Sequence, residues 1–282
     1  MSESALTALI FPGQGSQEPG MRDTVARARP DLLEWACELA GDDPFERVEE
    51  GTRFAQPAIY CASIAAWELV ERPEALCAAG HSLGELAALA VAGALEVEDG
   101  LRLAARRGAL MQKAADRAGG GMLALLGDGE RARALARSND LTLANHNAPQ
   151  QLVVSGGVEA LEAARAGARE AGLRAMRLPV RGAFHSREME PAVAGFRRVL
   201  ESVRFRDPAL PVISCASARE FEDAREELAA ALVRPVRWRE TLLALRERGA
   251  ERFLEPGPGR VLSRLVERNL SPPLAAVEPS HA

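Results

Sequence analysis

A serine stands between two glycines in Gly80-His81-Ser82-Leu83-Gly84. An apolar run, residues 74–80, leads into it, and an alanine- and leucine-rich stretch, residues 83–95, leaves it. A sharp strand-to-helix turn strains the serine backbone and crowds its neighbours, so small residues must flank it. The turn lifts the hydroxyl above the sheet edge. The helix N-terminus behind it presents free N–H groups and a positive dipole end. The chemistry implied is nucleophilic attack on a carbonyl. The same pentapeptide also suits a glycine-rich turn with a serine N-cap, and the motif alone leaves both readings open.

A serine hydroxyl needs a base. The chain has four histidines. His281 lies beside the C-terminus, His146 falls in a different structural unit, and His81 adjoins Ser82 and should point away from it. His81 is expected to pack or hydrogen-bond beneath the turn. His185, in "RGAFHSREMEP", remains as the best base by elimination.

The elements that must position these groups alternate. "ALTALIF" (5–11) reads as a buried strand ended by Pro12-Gly13, and helical patterns follow around 20–40 and 57–71. The strand 74–80 comes next, then helices 83–95 and 98–117. Strands separated by helices imply an α/β sheet, largely parallel. After Gly119-Gly120-Gly121 the order becomes strand 122–127, helix 128–138, strands 141–147 and 151–157, helix 158–171, strand 173–180. This β-α-β-β-α-β order matches a ferredoxin-like unit. The expected organisation is a large α/β domain, residues 1–118 and 181–282, with an inserted ferredoxin-like subdomain, residues 119–180. The large domain resumes with helix 188–203, strand 211–217, helices 222–232 and 238–248, strand 251–257 and helix 259–268. Pro272-Pro273 opens a loose tail.

The chain has 282 residues, 47% apolar and 27% charged, as expected of a globular protein with a sizeable core. No apolar run approaches a membrane span, and no signal peptide is read at the N-terminus, so a cytoplasmic location is expected. The net charge of −5 argues against nucleic acid as the main partner. Cys37, Cys61, Cys77 and Cys215 have no zinc-ligand or redox spacing and read as small buried hydrophobes.

Three motifs together resemble the malonyl-CoA:acyl-carrier-protein transacylases of fatty acid and polyketide synthesis: "FPGQGSQ" (11–17), "GHSLGE" (80–85) and "GAFHS" (182–186). "QPAI" (56–59), "RRGALMQ" (106–112), "HNAPQQLVVSG" (146–156), "RPVRW" (234–238) and "EPGPGRVL" (255–262) follow the family order. The resemblance runs from about residue 8 to about residue 268. It implies an α/β-hydrolase-like core with a ferredoxin-like subdomain, in agreement with the element order.

The resemblance also assigns roles. Ser82 becomes the acyl-accepting nucleophile and His185 its general base. The backbone N–H groups of Gln14 and Leu83 form the oxyanion hole, and the glycines flanking Gln14 let that backbone approach the substrate. Arg107, twenty-five residues after Ser82, becomes the clamp for a malonyl carboxylate, since a guanidinium can hold a carboxylate with two parallel bonds. Arg106 beside it reads as a helix-surface charge. Phe184 shapes the acyl pocket. No metal or cofactor is implied; the partners are malonyl-CoA and an acyl carrier protein. Arg181, Arg187 and Arg264 are candidates for a basic docking rim, each also readable as a solvated charge. A monomer is expected. One position departs from the family: Ala231 stands where Gln or Asn is common, four residues before Pro235. A backbone carbonyl could still orient the His185 ring, while the loss of the side-chain amide leaves the geometry around it open. The departure leaves open an acyl-thioester hydrolase of the same fold. Two further rivals are a polyketide acyltransferase using another acyl donor and a non-catalytic carrier-binding module.

Overall fold

The structure is a computed structural model and describes residues 6–270. The expected tail after Pro272-Pro273, and His281, lie outside the described residues.

The chain opens with β1 (Thr7–Phe11), whose five residues are all buried. Three helices follow: α1 (Met21–Ala28), α2 (Pro30–Ala40) and α3 (Thr52–Leu69). The helix expected over 20–40 is two helices, because Pro30 lacks an N–H and occupies the first turn of α2, where that lack costs nothing. Next come β2 (Ala75–Gly80), α4 (Gly84–Val91) and α5 (Val97–Ala118). The second unit is β3 (Gly121–Leu126), α6 (Gly129–Ser138), β4 (Thr142–Ala148), β5 (Gln151–Gly156), α7 (Val158–Gly167) and β6 (Arg174–Arg177). The chain then forms α8 (Glu190–Glu201), β7 (Val212–Ile213), α9 (Ala224–Ala230), α10 (Trp238–Glu247), β8 (Arg252–Leu254) and α11 (Val261–Asn269), with single 3-10 turns at Arg187–Met189 and Ala231–Val233.

Two sheets result. β7-β2-β1-β8 is parallel throughout, and β4-β5-β3-β6 is antiparallel throughout. The fold is α/β, an α/β-hydrolase-like parallel core with a ferredoxin-like antiparallel sheet. The second sheet's strand order is that of the β-α-β-β-α-β motif, which brings its first and third strands side by side. One of its faces packs on α6 and α7 through Leu125, Leu152, Leu161 and Ala164. The other carries Met122, Ala124 and Val153 into the main core. The edge strand β4 is bound to the large domain as well: the His146 N–H donates to Val236 O and the Val236 N–H to Ala144 O, both at 2.8 Å.

Three strands, β6, β7 and β8, are shorter than their sequence patterns suggest, and the first two shortenings serve the site. The run 211–217 pairs only at Val212 and Ile213, because Ser214–Ala218 closes a turn by an Ala218 N–H bond to Ser214 O. The run 173–180 leaves the sheet after Arg177, so Leu178 and Val180 line a pocket instead.

Candidate active site

Ser82 sits between β2 and α4 with φ 56°, in the left-handed region that a non-glycine residue rarely adopts. Steric crowding enforces the glycines around it. A Cβ on Gly80 would collide with the backbone of Gly84 and Glu85, and a Cβ on Gly84 with the carbonyl of Phe11. A Cβ on Gly13 would meet His81 O, so this glycine lets the 11–17 loop close on the turn. That is a packing reason at Gly13, distinct from the expected approach to substrate.

His185 completes the pair. Its Nε2 lies 2.8 Å from Ser82 Oγ. Its Nδ1 lies 3.0 Å from Ala231 O and 3.0 Å from Arg234 O. Carbonyls only accept, so Nδ1 carries the proton and Nε2 offers its lone pair to the Ser82 hydroxyl. Burial pushes the imidazole pKa down to about 3, and the Arg107 charge pushes in the same direction. The ring is therefore neutral and ready to accept a proton. His185 also has φ 58°, a second strained residue in direct contact with the first.

Arg107 enters from α5. It is 4% exposed. Nη1 donates to Gln56 Oε1 at 2.9 Å and Nη2 to Ser82 Oγ at 3.0 Å. Burial lowers its pKa to about 10, which leaves it charged at neutral pH. Both of these acceptors are neutral oxygens, and a desolvated cation with neutral partners attracts an anion strongly. Arg106 next to it is exposed, as expected.

The pocket above Ser82 is lined by Gln14 and Leu83 on one side and by Met111, Met122, Leu178 and Phe184 as an apolar wall. Neither the Gln14 nor the Leu83 N–H has a protein acceptor among the described residues, so both are available to an oxyanion. The structure thus brings together Ser82, His185, Arg107, Gln14, Leu83 and Phe184 at one pocket.

His81 is half-buried at the turn and also lines the Ser82 pocket, with Nε2 3.0 Å from Asn147 Oδ1 and its ring edge-on to Trp238. His146 is on β4 and pairs with Glu240 at 3.1 Å. Cys61, Cys77 and Cys215 are buried and Cys37 half-buried, all as free thiols. Arg181, Arg187 and Arg264 are exposed, and Arg187 faces Glu188 and Asp140. Among the described residues no group of three His, Cys, Asp or Glu could hold a metal ion, and no helix is long and apolar enough to cross a membrane.

Sequence reasoning misses several participants. Gln56 is visible as a lone polar residue in the apolar run of α3, and it holds Arg107. The Arg234 carbonyl has no side-chain signal. Cys215 and Glu85 lie behind the nucleophile: the Ser82 N–H donates to Cys215 Sγ at 3.3 Å, and the Cys215 N–H to Glu85 Oε1 at 2.8 Å.

The chain is similar to known acyl transferases. The family model described as the acyl transferase domain matches residues 44–278. The chain is 35% identical to the malonyl CoA-acyl carrier protein transacylase of Salmonella typhimurium, over 93% of this chain and 92% of that protein. It is 39% identical to the polyketide biosynthesis protein ThaF of Burkholderia thailandensis, over 94% of this chain but only 24% of that longer protein. Among solved structures, an acyl-carrier-protein S-malonyltransferase from Burkholderia pseudomallei superposes with TM-score 0.88 at 32% identity, covering 97% of this chain and 96% of that one. A malonyl-transacylase solved in complex with a type II polyketide acyl-carrier protein superposes with TM-score 0.84 at 34% identity, covering 94% and 93%.

Proposed function

The chain belongs to the acyl transferase domain family, and from that premise we propose that it moves a malonyl group from malonyl-CoA to the phosphopantetheine thiol of an acyl carrier protein through an ester on Ser82. The observation that carries the reading is Arg107: a buried cation bonded to the nucleophile itself, with neutral partners, where a diacid thioester would bring its carboxylate. An acetyl group would bring no carboxylate to that cation.

The reaction proceeds in two halves. Ser82 Oγ attacks the thioester carbonyl while His185 Nε2 takes the hydroxyl proton. The Gln14 and Leu83 N–H groups receive the oxyanion, a contribution of about 3 kcal/mol for each such donor. The C–S bond breaks, and the proton on His185 passes to the departing CoA sulfur. The carrier's thiol then loses its proton to His185 and attacks the malonyl ester, and Ser82 leaves with that proton. Arg107 holds the carboxylate in both halves, and Phe184 bounds the acyl chain. No step needs a metal or a redox cofactor.

The two carbonyls on His185 Nδ1 supply the orientation that a side-chain amide at position 231 would offer. This weakens the hydrolase reading raised by Ala231. One chain supplies every group, which supports action as a monomer, and the substrates support a cytoplasmic setting. A polyketide carrier is one natural acceptor, since several relatives are named for polyketide biosynthesis.

Intact-protein mass spectrometry tests the proposal. Malonyl-CoA should leave a malonyl adduct on Ser82, acetyl-CoA should leave far less, and a holo carrier protein should remove it. An adduct that water discharges as fast as it forms would replace the transferase with a hydrolase.

A further inference from the structure

Glu85, in the first turn of α4, is 1% exposed. Its Oε1 accepts a bond from a neutral donor, the Cys215 N–H, at 2.8 Å. Arg107, 4% exposed, donates to the neutral oxygens Gln56 Oε1 and Ser82 Oγ. A buried anion and a buried cation thus flank the same turn without a direct bond between them. Each attracts the other through the low-dielectric interior. Leaving either charge wholly uncompensated would be costly.

We infer that Glu85 is the resident counter-charge of Arg107, competing with the substrate's carboxylate for that cation, and a positioning residue that steadies Ser82 through Cys215. The inference rests on the acyl-transfer reading for the identity of the substrate. It assigns the strength of diacid selection to a pair of groups, with the free enzyme kept tolerable by Glu85 and the loaded one by the malonyl group. The second arm of the role runs through the backbone. Glu85 fixes the Cys215 N–H, and the Cys215 sulfur receives the Ser82 N–H at 3.3 Å. The groups facing the carboxylate are the Cys215 N–H and thiol, Ser214 and Arg107.

The test compares Glu85→Gln with the parent at pH 8. Burial raises the Glu85 pKa to about 7, so the parent carboxylate is mostly ionised there. Gln keeps an oxygen for the Cys215 N–H and removes the charge. The probe is malonamate, which carries one carboxylate and no thioester. The variant should melt earlier when free, and malonamate should restore more of its Tm than it adds to the parent. KM for malonyl-CoA should fall about tenfold, the change one pKa unit of charge coupling represents, with KM for acetyl-CoA unmoved. In an Arg107→Gln background the same substitution should do none of this.

Equal malonamate shifts in parent and variant, an equal KM change for acetyl-CoA, or an effect that survives Arg107→Gln would overturn the inference. If Glu85→Gln does not fold, the parent alone decides. Its malonamate affinity should rise as pH falls from 8 to 6 and Glu85 takes up a proton, and a flat profile would overturn the idea. The malonyl adduct on the parent is scored separately, so a failed acyl-transfer reading shows as no adduct, whatever malonamate does.

Discussion

Ser82 and His185 are held in the same unusual backbone conformation, φ 56° and 58°, and touch at 2.8 Å, but the chain stabilises them by different means. The nucleophile is held locally. Gly80 and Gly84 lie within two residues of it, and the turn closes by short-range bonds such as Gly84 N–H to His81 O at 3.1 Å. The base is held from afar. Its Nδ1 partners, Ala231 O and Arg234 O, come from residues 46 and 49 positions later. A strained residue can therefore be secured either by making its neighbours small or by fixing its side chain from another segment. Only the first leaves a mark in the local sequence.

The largest effect expected is loss of either partner. Ser82→Ala should form no malonyl adduct, and His185→Ala should slow transfer by about 10⁴-fold or more, as in other serine–histidine pairs. Single-turnover acylation by malonyl-CoA measures both. If His185→Ala acylated at the parent rate, the distant segment would be holding a bystander.

A smaller but still severe effect separates the two kinds of support. Gly84→Ala places a methyl group against the Phe11 carbonyl, where backbone and not a flexible side chain must yield. A cost above about 4 kcal/mol is expected, seen as a large drop in Tm or loss of soluble protein. At position 231 the side chain has no comparable duty, because the backbone oxygen does the work. Ala231→Ser should retain activity within about twofold, in line with ordinary conservative substitutions. Parent-like stability in Gly84→Ala would remove the local half of the comparison.

The segment behind His185 depends on Pro235. A residue before proline is driven to extended backbone, and Arg234 sits at φ −109°, ψ 149°, with its carbonyl on His185. Pro235→Ala relaxes that restriction without touching the pocket. It should lower kcat by about tenfold, a typical result of slight misplacement of a catalytic group, with KM for malonyl-CoA unchanged. A change confined to KM would place Pro235 in substrate binding instead.

This division explains what is legible in the sequence. The elbow, the parallel strands β1 and β2, and the ferredoxin-like order are readable because each rests on neighbours in sequence or on apolar runs. Arg107 and His185 are reached through motif resemblance and elimination, not through any local physical signal. The trimming of β7 at Ile213 is invisible, since "PVISCAS" is apolar enough to continue; the strand stops because Ser214–Ala218 turns to bring Cys215 beneath Ser82. The carbonyls of Ala231 and Arg234 carry no side-chain identity at all, so no composition or spacing could announce them. Glu85 belongs to the serine motif, yet its burial and its relation to Arg107 belong to the tertiary structure.

The smallest effect concerns pH, and it tests whether burial and Arg107 keep the base neutral against the opposite pull of the Ala231 and Arg234 carbonyls. An unperturbed histidine titrates near 6.5, whereas burial and Arg107 push His185 down to about 3. Between those values the unfolded chain binds a proton at this position and the folded one does not, so the group's contribution to stability is present above pH 6.5 and is lost as pH falls toward 3. The same depression keeps Nε2 free to accept the Ser82 proton throughout the neutral and mildly acid range. The kcat/KM profile for malonyl-CoA, which reports the free enzyme, should therefore show no acid limb near pH 6.5. A bound malonyl carboxylate compensates Arg107 and relieves part of the depression, so the limb in kcat should lie at higher pH than the limb in kcat/KM. Coincident limbs at pH 6.5 would mean that His185 is solvated like an ordinary surface histidine, and that the carbonyls of the 231–234 segment orient the ring without isolating it.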